Sequence, residues 1–225
     1  MSTSNYEAYS AIRERILTAA GRRIPRASAA SQARALGLDW KNDEVSVGNQ
    51  AQLLLVVDLG VFGPMGGHSR ALDREAKAGE YAEGSEEAAV LAALSRAHFT
   101  LFRVVGAHLE GGVEADDLLR GTKLRIEDRV LAREGMEGTA FAGRIMRLGR
   151  FEMTCGALAP VTDEVIETLL GRPVASLPTP QFLPAITPLM EDDVAALRGA
   201  ASASEFPARV YRAALDHGLF GRLPE

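Results

Sequence analysis

HFTLFRVVGAHLEGGVEADDLLRGTKLRIEDRVLAREGMEGTAFAGRIMRLGRFEMTCGALAPV, residues 98–161, is the stretch that decides the fold. Turn signals fall at Gly111-Gly112, Arg120-Gly121, Gly135 to Gly138 and Gly149-Arg150, mostly near the spacing of about 8–12 residues that marks an all-β unit. Leu124 and Ile126 alternate with Lys123, Arg125 and Glu127, the pattern of a strand with one wet face. Gly149-Arg150 between Leu148 and Phe151 suits a two-residue hairpin with glycine at the first central position. Phe151, Met153 and Cys155 share one face of the last strand. About five strands in a segment this short predict a small barrel-like unit of the SH3-like or OB-like kind.

Helical signals surround this segment. Tyr9, Ile12, Ile16 and Ala20 recur at three- and four-residue spacing and predict a helix over 5–20, ended by Gly21 and Pro25. A second helix is expected over 27–36, and a small strand at Val45–Val47. The apolar run 51–62, interrupted by Asp58, reads as a helix from its length and its Ala, Gln and Leu content, with a strand as the alternative that Val56 and Val57 leave open. A helix is expected over 69–78. Ser85, followed by Glu86 and Glu87, is an N-cap with acids in the first turn, where the helix dipole favours them. Asp163–Leu170 should be a helix stopped by Gly171. Pro173, Pro178, Pro180, Pro184 and Pro188, half of the ten prolines, predict an extended strap lying across the folded body. Two terminal helices follow, one opened by Pro188 and the other capped by Ser204. The expected class is therefore α+β: a helical region 1–97, a five-stranded β unit 98–161, and a Pro-rich strap with C-terminal helices 162–225, packed as one body.

The composition is that of a globular chain, with 47% hydrophobic and 24% charged residues and a net charge of −5. That balance disfavours nucleic acid and anionic membrane surfaces as partners. Residues 1–38 carry six arginines against Glu7 and Glu14, while residues 73–97 are acidic. The plain reading is that the two segments pair with each other; the other is a basic docking surface. One cysteine, Cys155, rules out an internal disulfide. No apolar run approaches the roughly 18 residues of a membrane span, and no signal-peptide core is visible. A cytoplasmic protein is expected.

Three clusters bear on chemistry. Gly66, Gly67, His68, Ser69 and Arg70 could form an anion site ahead of a helix, because glycines let backbone N–H groups converge. The phosphate-loop pattern fails there for want of a lysine, and the dinucleotide pattern fails as well. Arg103, Arg125, Arg144, Arg147 and Arg150 are candidate binding residues; Arg144, Arg147 and Arg150 would make a basic stripe if they shared one edge, as in single-strand binders. The acids Glu114, Asp116, Asp117, Glu127 and Asp128 could serve an enzyme or a hard cation, with solvated hairpin faces as the plainer reading. The four histidines lack metal-ligand spacing, so no metal and no cofactor is expected. Cys155 reads as core.

ARALGLDW (33–40), VVDLGVFGP (56–64), HFTLFRVV (98–105) through DDLLRG (116–121), and FEMTCGALAPV (151–161) resemble stretches of uncharacterised bacterial proteins in which a helical N-terminal part precedes a small β module. The resemblance implies this organisation and no activity. The resulting expectation is a non-enzymatic binding or scaffold protein that docks a protein partner or a second copy. The alternatives are an enzyme with its site near 63–70 or 114–128, and a single-stranded nucleic-acid binder acting through Arg144, Arg147 and Arg150.

Overall fold

Five strands close on themselves in the computed structural model, which describes residues 3–41, 44–46, 49–64, 69–174 and 189–220. Ahead of them come helices α1 (Thr3–Gly21) and α2 (Arg26–Ala35), a hairpin of β1 (Asp39–Lys41) and β2 (Glu44–Ser46), and helices α3 (Gln50–Phe62), α4 (Ala71–Ala78) and α5 (Glu86–Ser95). The closed sheet is built from β3 (His98–Ala107), β4 (Val113–Asp117), β5 (Thr122–Ile126), β6 (Ala140–Leu148) and β7 (Phe151–Pro160). Helices α6 (Asp163–Leu170), α7 (Glu191–Ala201) and α8 (Phe206–Asp216) follow. The α+β organisation expected from the sequence, helices on either side of a five-stranded unit, is the one observed.

The strands run in the spatial order β3-β4-β5-β7-β6, and β6 returns to β3. β3–β4, β4–β5 and β6–β7 pair antiparallel through short turns, and β6 pairs antiparallel with β3. Leu148 pairs directly with Phe151, so Gly149-Arg150 is the two-residue turn its sequence announced. Closure falls to β5 and β7, which meet in parallel through one residue pair, Ile126 and Glu152, and a backbone bond from Glu127 N to Glu152 O of 2.8 Å. The ring is therefore a mixed sheet.

Both faces of β6 are buried along most of its length, which explains why its sequence does not alternate. One face looks into the ring, where Phe102, Val104, Ile126, Phe141 and Ile145 pack together. The other face takes helices. Met146, Leu148, Met153 and Cys155 meet Ile12 and Ile16 of α1 and Leu91 and Leu94 of α5, while Ala140, Ala142, Ala157 and Ala159 meet α2, α3, α6 and α8. Burial of each Leu or Ile here contributes about 1.5–3 kcal/mol. Small alanines on this face let the helices approach closely.

Local chemistry sets the helix ends. Asn49 Oδ1 accepts a hydrogen bond from Gln52 N at 3.1 Å, which starts α3 and decides for helix over strand at 51–62. Ser85 Oγ accepts from Ala88 N at 3.1 Å, as its position predicted. Gly171 stops α6 in the left-handed conformation. Ser204 departs from expectation: α8 begins at Phe206 with Glu205 at the cap position, and Ser204 Oγ turns to Glu205 Oε2 instead. The proline-rich strap beyond Val174, with Pro188, lies outside the described residues. No helix among the described residues is long and apolar enough to cross a membrane.

Candidate functional site

One charge interrupts the apolar run of α3, and its burial governs the surrounding architecture. Asp58 is buried with its side chain wholly covered. A carboxylate placed there must find donors. Arg144 of β6 supplies Nε, 3.0 Å from Oδ2 and 3.3 Å from Oδ1. The Tyr211 hydroxyl of α8 donates to Oδ2 at 3.1 Å and lies 3.2 Å from the Ala157 carbonyl oxygen. The backbone of Ala157 bonds the carboxylate as well. Arg144 is sandwiched in turn: its guanidinium carbon stands 4.6 Å from the centroid of the Phe62 ring and 5.7 Å from that of Phe99, a desolvated cation–π arrangement. Burial pushes the Asp58 carboxyl upward, against the pull of the Arg144 charge and the hydrogen bonds. Burial also drives the Tyr211 hydroxyl far above its ordinary range.

This knot closes an open strand edge. Beyond Glu152, β7 keeps β6 on one side and pairs with no strand on the other among the described residues. Unpaired edges are sites of unwanted association. Here side chains cover the edge: Arg13 of α1 donates to Thr154 O, and Asp58 and Tyr211 occupy the backbone of Ala157. A bulge fits the strand to them. Gly143 pairs with Leu158 and Ile145 with Thr154, so Cys155, Gly156 and Ala157 oppose Arg144 alone. Gly156 has φ +102°, and a β-carbon on it would stand 2.1 Å from Asp58 Oδ1.

Over this edge, α1, α3 and β7 enclose an open cleft of about 300 Å³. Leu17, Leu54, Val57 and Phe62 form apolar walls, with Arg13 and Glu14 on the α1 side and Gly156 in the floor. Leu54 is 51% exposed and its neighbour Leu53 40% exposed. Asp58 borders the cleft without offering its carboxylate to it. Cys155 lies behind the floor, and burial and the nearby Asp58 charge push its thiol up to about 12, so it is no nucleophile at neutral pH. The cleft offers shape and apolar contact, with polar groups at its rim.

A family model matches residues 3–173, three quarters of the chain and every residue lining the cleft. The chain belongs to DUF7986, a family of unknown function. The matched span holds Asp58, Arg144 and Gly156 and stops before α7 and α8, so Tyr211 lies outside it. No curated protein and no solved structure matches this DUF7986 chain.

The structure scatters the arginines read from the DUF7986 sequence. Arg144 points inward to Asp58, Arg147 is 74% exposed with Glu152 at 3.7 Å, and Arg150 is exposed with no charged partner among the described residues. They do not share an edge, because alternation along β6 sets Arg144 with Ala142 and Met146 on the helix face and Arg147 on the opposite one. Arg103 and Arg125 stand on the helix-free outer face of β3, β4 and β5 in a ladder of cross-strand charges. There Arg103 reaches Asp116 at 3.2 Å, Lys123 holds Asp116 at 2.6 Å and Glu114 at 3.4 Å, and Arg125 contacts Glu110 and Glu127. Asp117 points the other way and caps its own turn, accepting from Thr100 Oγ1 at 2.6 Å, Leu119 N at 3.0 Å and Arg120 N at 2.9 Å. Asp128 caps Val130 N and Leu131 N. Among the described residues no three His, Cys, Asp or Glu side chains gather as a metal site.

Gly66, Gly67 and His68 of the candidate anion loop lie outside the described residues. Its other members are engaged: Arg70 folds onto Asp73, with NH2 2.7 Å from Oδ1, and donates to Ser95 O, while Ser69 O accepts from Arg74. The basic N-terminal segment pairs with the acidic one through Arg15–Glu87 at 3.0 Å and through Arg23–Glu75. Asp58, Tyr211, Arg13 and Leu54 were not among the residues singled out as a site. A signal existed for Asp58 alone, as the one charge inside an apolar run.

Proposed function

We propose that the chain is a non-enzymatic docking protein of the cytoplasm, and that the cleft between α1, α3 and β7 receives an apolar side chain from a protein partner. The observation that carries this reading is Leu54, 51% exposed at the mouth of an apolar cleft on a helix that is apolar nearly all round. A helix of that kind is normally covered on every side, and an apolar centre with a polar rim is the anatomy of a protein interface. The titratable groups nearest the cleft support docking over catalysis. Asp58 is saturated and covered, and the thiol of Cys155 is buried and protonated. The α1 side of the cleft carries one charge of each sign, Arg13 and Glu14.

A photo-crosslinking residue placed at Leu54 in the native cell tests this, with exposed Thr122 on the ring as the control position. One adduct at position 54 and none at 122 is expected. The captured protein, once purified, should bind the free chain at least tenfold more weakly after Leu54→Glu, the scale of one buried leucine. Equal adducts at both positions, or none at 54, would overturn the proposal.

A further inference from the structure

We infer, on the basis of the docking proposed above, that the group received by the α1–α3–β7 cleft is the last residue of a partner chain, its apolar side chain between Leu17, Leu54 and Val57 and its terminal carboxylate on Arg13. Arg13 is half-buried in the cleft wall. A guanidinium carries five N–H donors, and among the described residues Arg13 donates to two neutral oxygens, Thr154 O and Ser10 Oγ, the latter at 3.1 Å. Those bonds fix the head group against β7 and leave its charge without a carboxylate. Burial of a charge is costly until it is paired, and the planar fork of an arginine matches a carboxylate. A half-desolvated cation beside apolar walls therefore suits an anion that arrives attached to an apolar group.

The acids at the cleft do not meet that need. Along α1, Arg13 and Leu17 form one row at four-residue spacing and Glu14 and Thr18 form the next. The first row is half-buried, with Arg13 reaching β7, and the second is exposed. Glu14 thus stands on the solvent lip. Asp58 is paired to Arg144 with its side chain wholly covered. The inner wall presents one positive charge and no accessible negative one. Size decides for a chain terminus. The cleft holds about 300 Å³, the low end for a small-molecule site. In an extended segment neighbouring side chains point to opposite faces, and the next on the same face stands about 7 Å along, roughly the width of such a cleft. A terminal residue carries its carboxylate and its side chain on one α-carbon, so both enter together.

NMR titration of the isotope-labelled full chain with the acetylated tripeptide Gly-Gly-Leu, as the free acid and as its C-terminal amide, reads the outcome. The free acid should shift the amide signals of Leu54, Val57 and Gly156 and bind at least about tenfold more tightly than the amide, the scale of a hydrogen bond to a charged group. Arg13→Gln should erase that preference, and Leu54→Glu should weaken the free acid's binding. Arg15→Gln, on an exposed position outside the cleft, should leave the preference in place. Equal binding of acid and amide, or no shifts at the cleft at millimolar peptide, overturns the inference. So does octanoate, or an amidated peptide with Asp beside its leucine, that binds as tightly as the free acid. The crosslink at position 54 reports docking by any segment, so an adduct there with no preference for the free acid ends this inference alone.

Discussion

Asp58 Oδ1 occupies the place where residue 156 would carry its β-carbon: built onto Gly156, that atom would stand 2.1 Å from the oxygen. The strand and the helix can meet here because position 156 has no side chain, and its φ of +102° is one that L-residues rarely adopt. Gly156→Ala is therefore expected to destabilise the fold by about 2–4 kcal/mol, from backbone strain and displacement of the carboxylate together. Urea unfolding checks it, with Gly149→Ala as the comparison, since a β-carbon at that turn meets nothing within 4 Å.

Breaking the Asp58–Arg144 pair on one side leaves a buried charge alone. Asp58→Asn and Arg144→Met should each cost about 3–5 kcal/mol. The double variant removes both charges and is expected to lose less than the sum of the two. A double-mutant cycle by chemical denaturation measures the coupling; strictly additive losses would show that the pair does not hold α3 to β6.

Tyr211 makes a narrower point. Tyr211→Phe keeps the ring, which stands edge-on to Phe99 with centroids 5.5 Å apart, and removes only the hydroxyl. A loss of about 1–3 kcal/mol is expected, the cost of stripping a hydrogen bond from a buried carboxylate. Thermal unfolding reads it directly.

Two half-buried carboxylates contribute to the acid limb of stability. Hydrogen bonding from Lys123 lowers the Asp116 carboxyl below its ordinary 3.8, and hydrogen bonding from Arg70 lowers Asp73. Folded values below the unfolded ones mean that this stability is present above about pH 4 and is lost as pH falls through the folded values. Lys123→Met should flatten the decline between about pH 4 and pH 2 and leave Asp73's share in place. Denaturant titrations at pH 7 and pH 3 compare the two proteins.

Cys155 should be silent in the native state. With its thiol pushed up to about 12 and its side chain buried, Ellman's reagent is expected to find no thiol in the folded chain and one per chain in denaturant. Prompt labelling of the native protein would place the thiol at the surface.

The sequence made the strands legible because their signals are local. Gly149-Arg150 places a hairpin, Ser85 starts a helix, and the alternation at Leu124 and Ile126 marks a wet face. The run 51–62 stayed ambiguous because apolar content alone does not separate a buried helix from a strand; Asn49, just ahead of it, was the missing cue. The site was less legible for a different reason. Arg144 read as one of three exposed arginines because alternation sets it with Ala142 and Met146, opposite Arg147, but does not reveal that distant helices cover that face. Its partner lies 86 residues away, and Tyr211 lies 153 residues from Asp58, separations that no local pattern encodes.

The side chains that seal the free edge of β7 come from α1, α3 and α8, so the seal spans nearly the whole chain. During synthesis Arg13 and Asp58 emerge before the strand they protect, but Tyr211 follows it by some fifty residues. For several seconds at ordinary rates of elongation, about 5–20 residues per second, β7 is made and only partly sealed. Until α8 is made, the edge of β7 at Ala157 lacks the Tyr211 hydroxyl and keeps the covering that Arg13 and Asp58 provide.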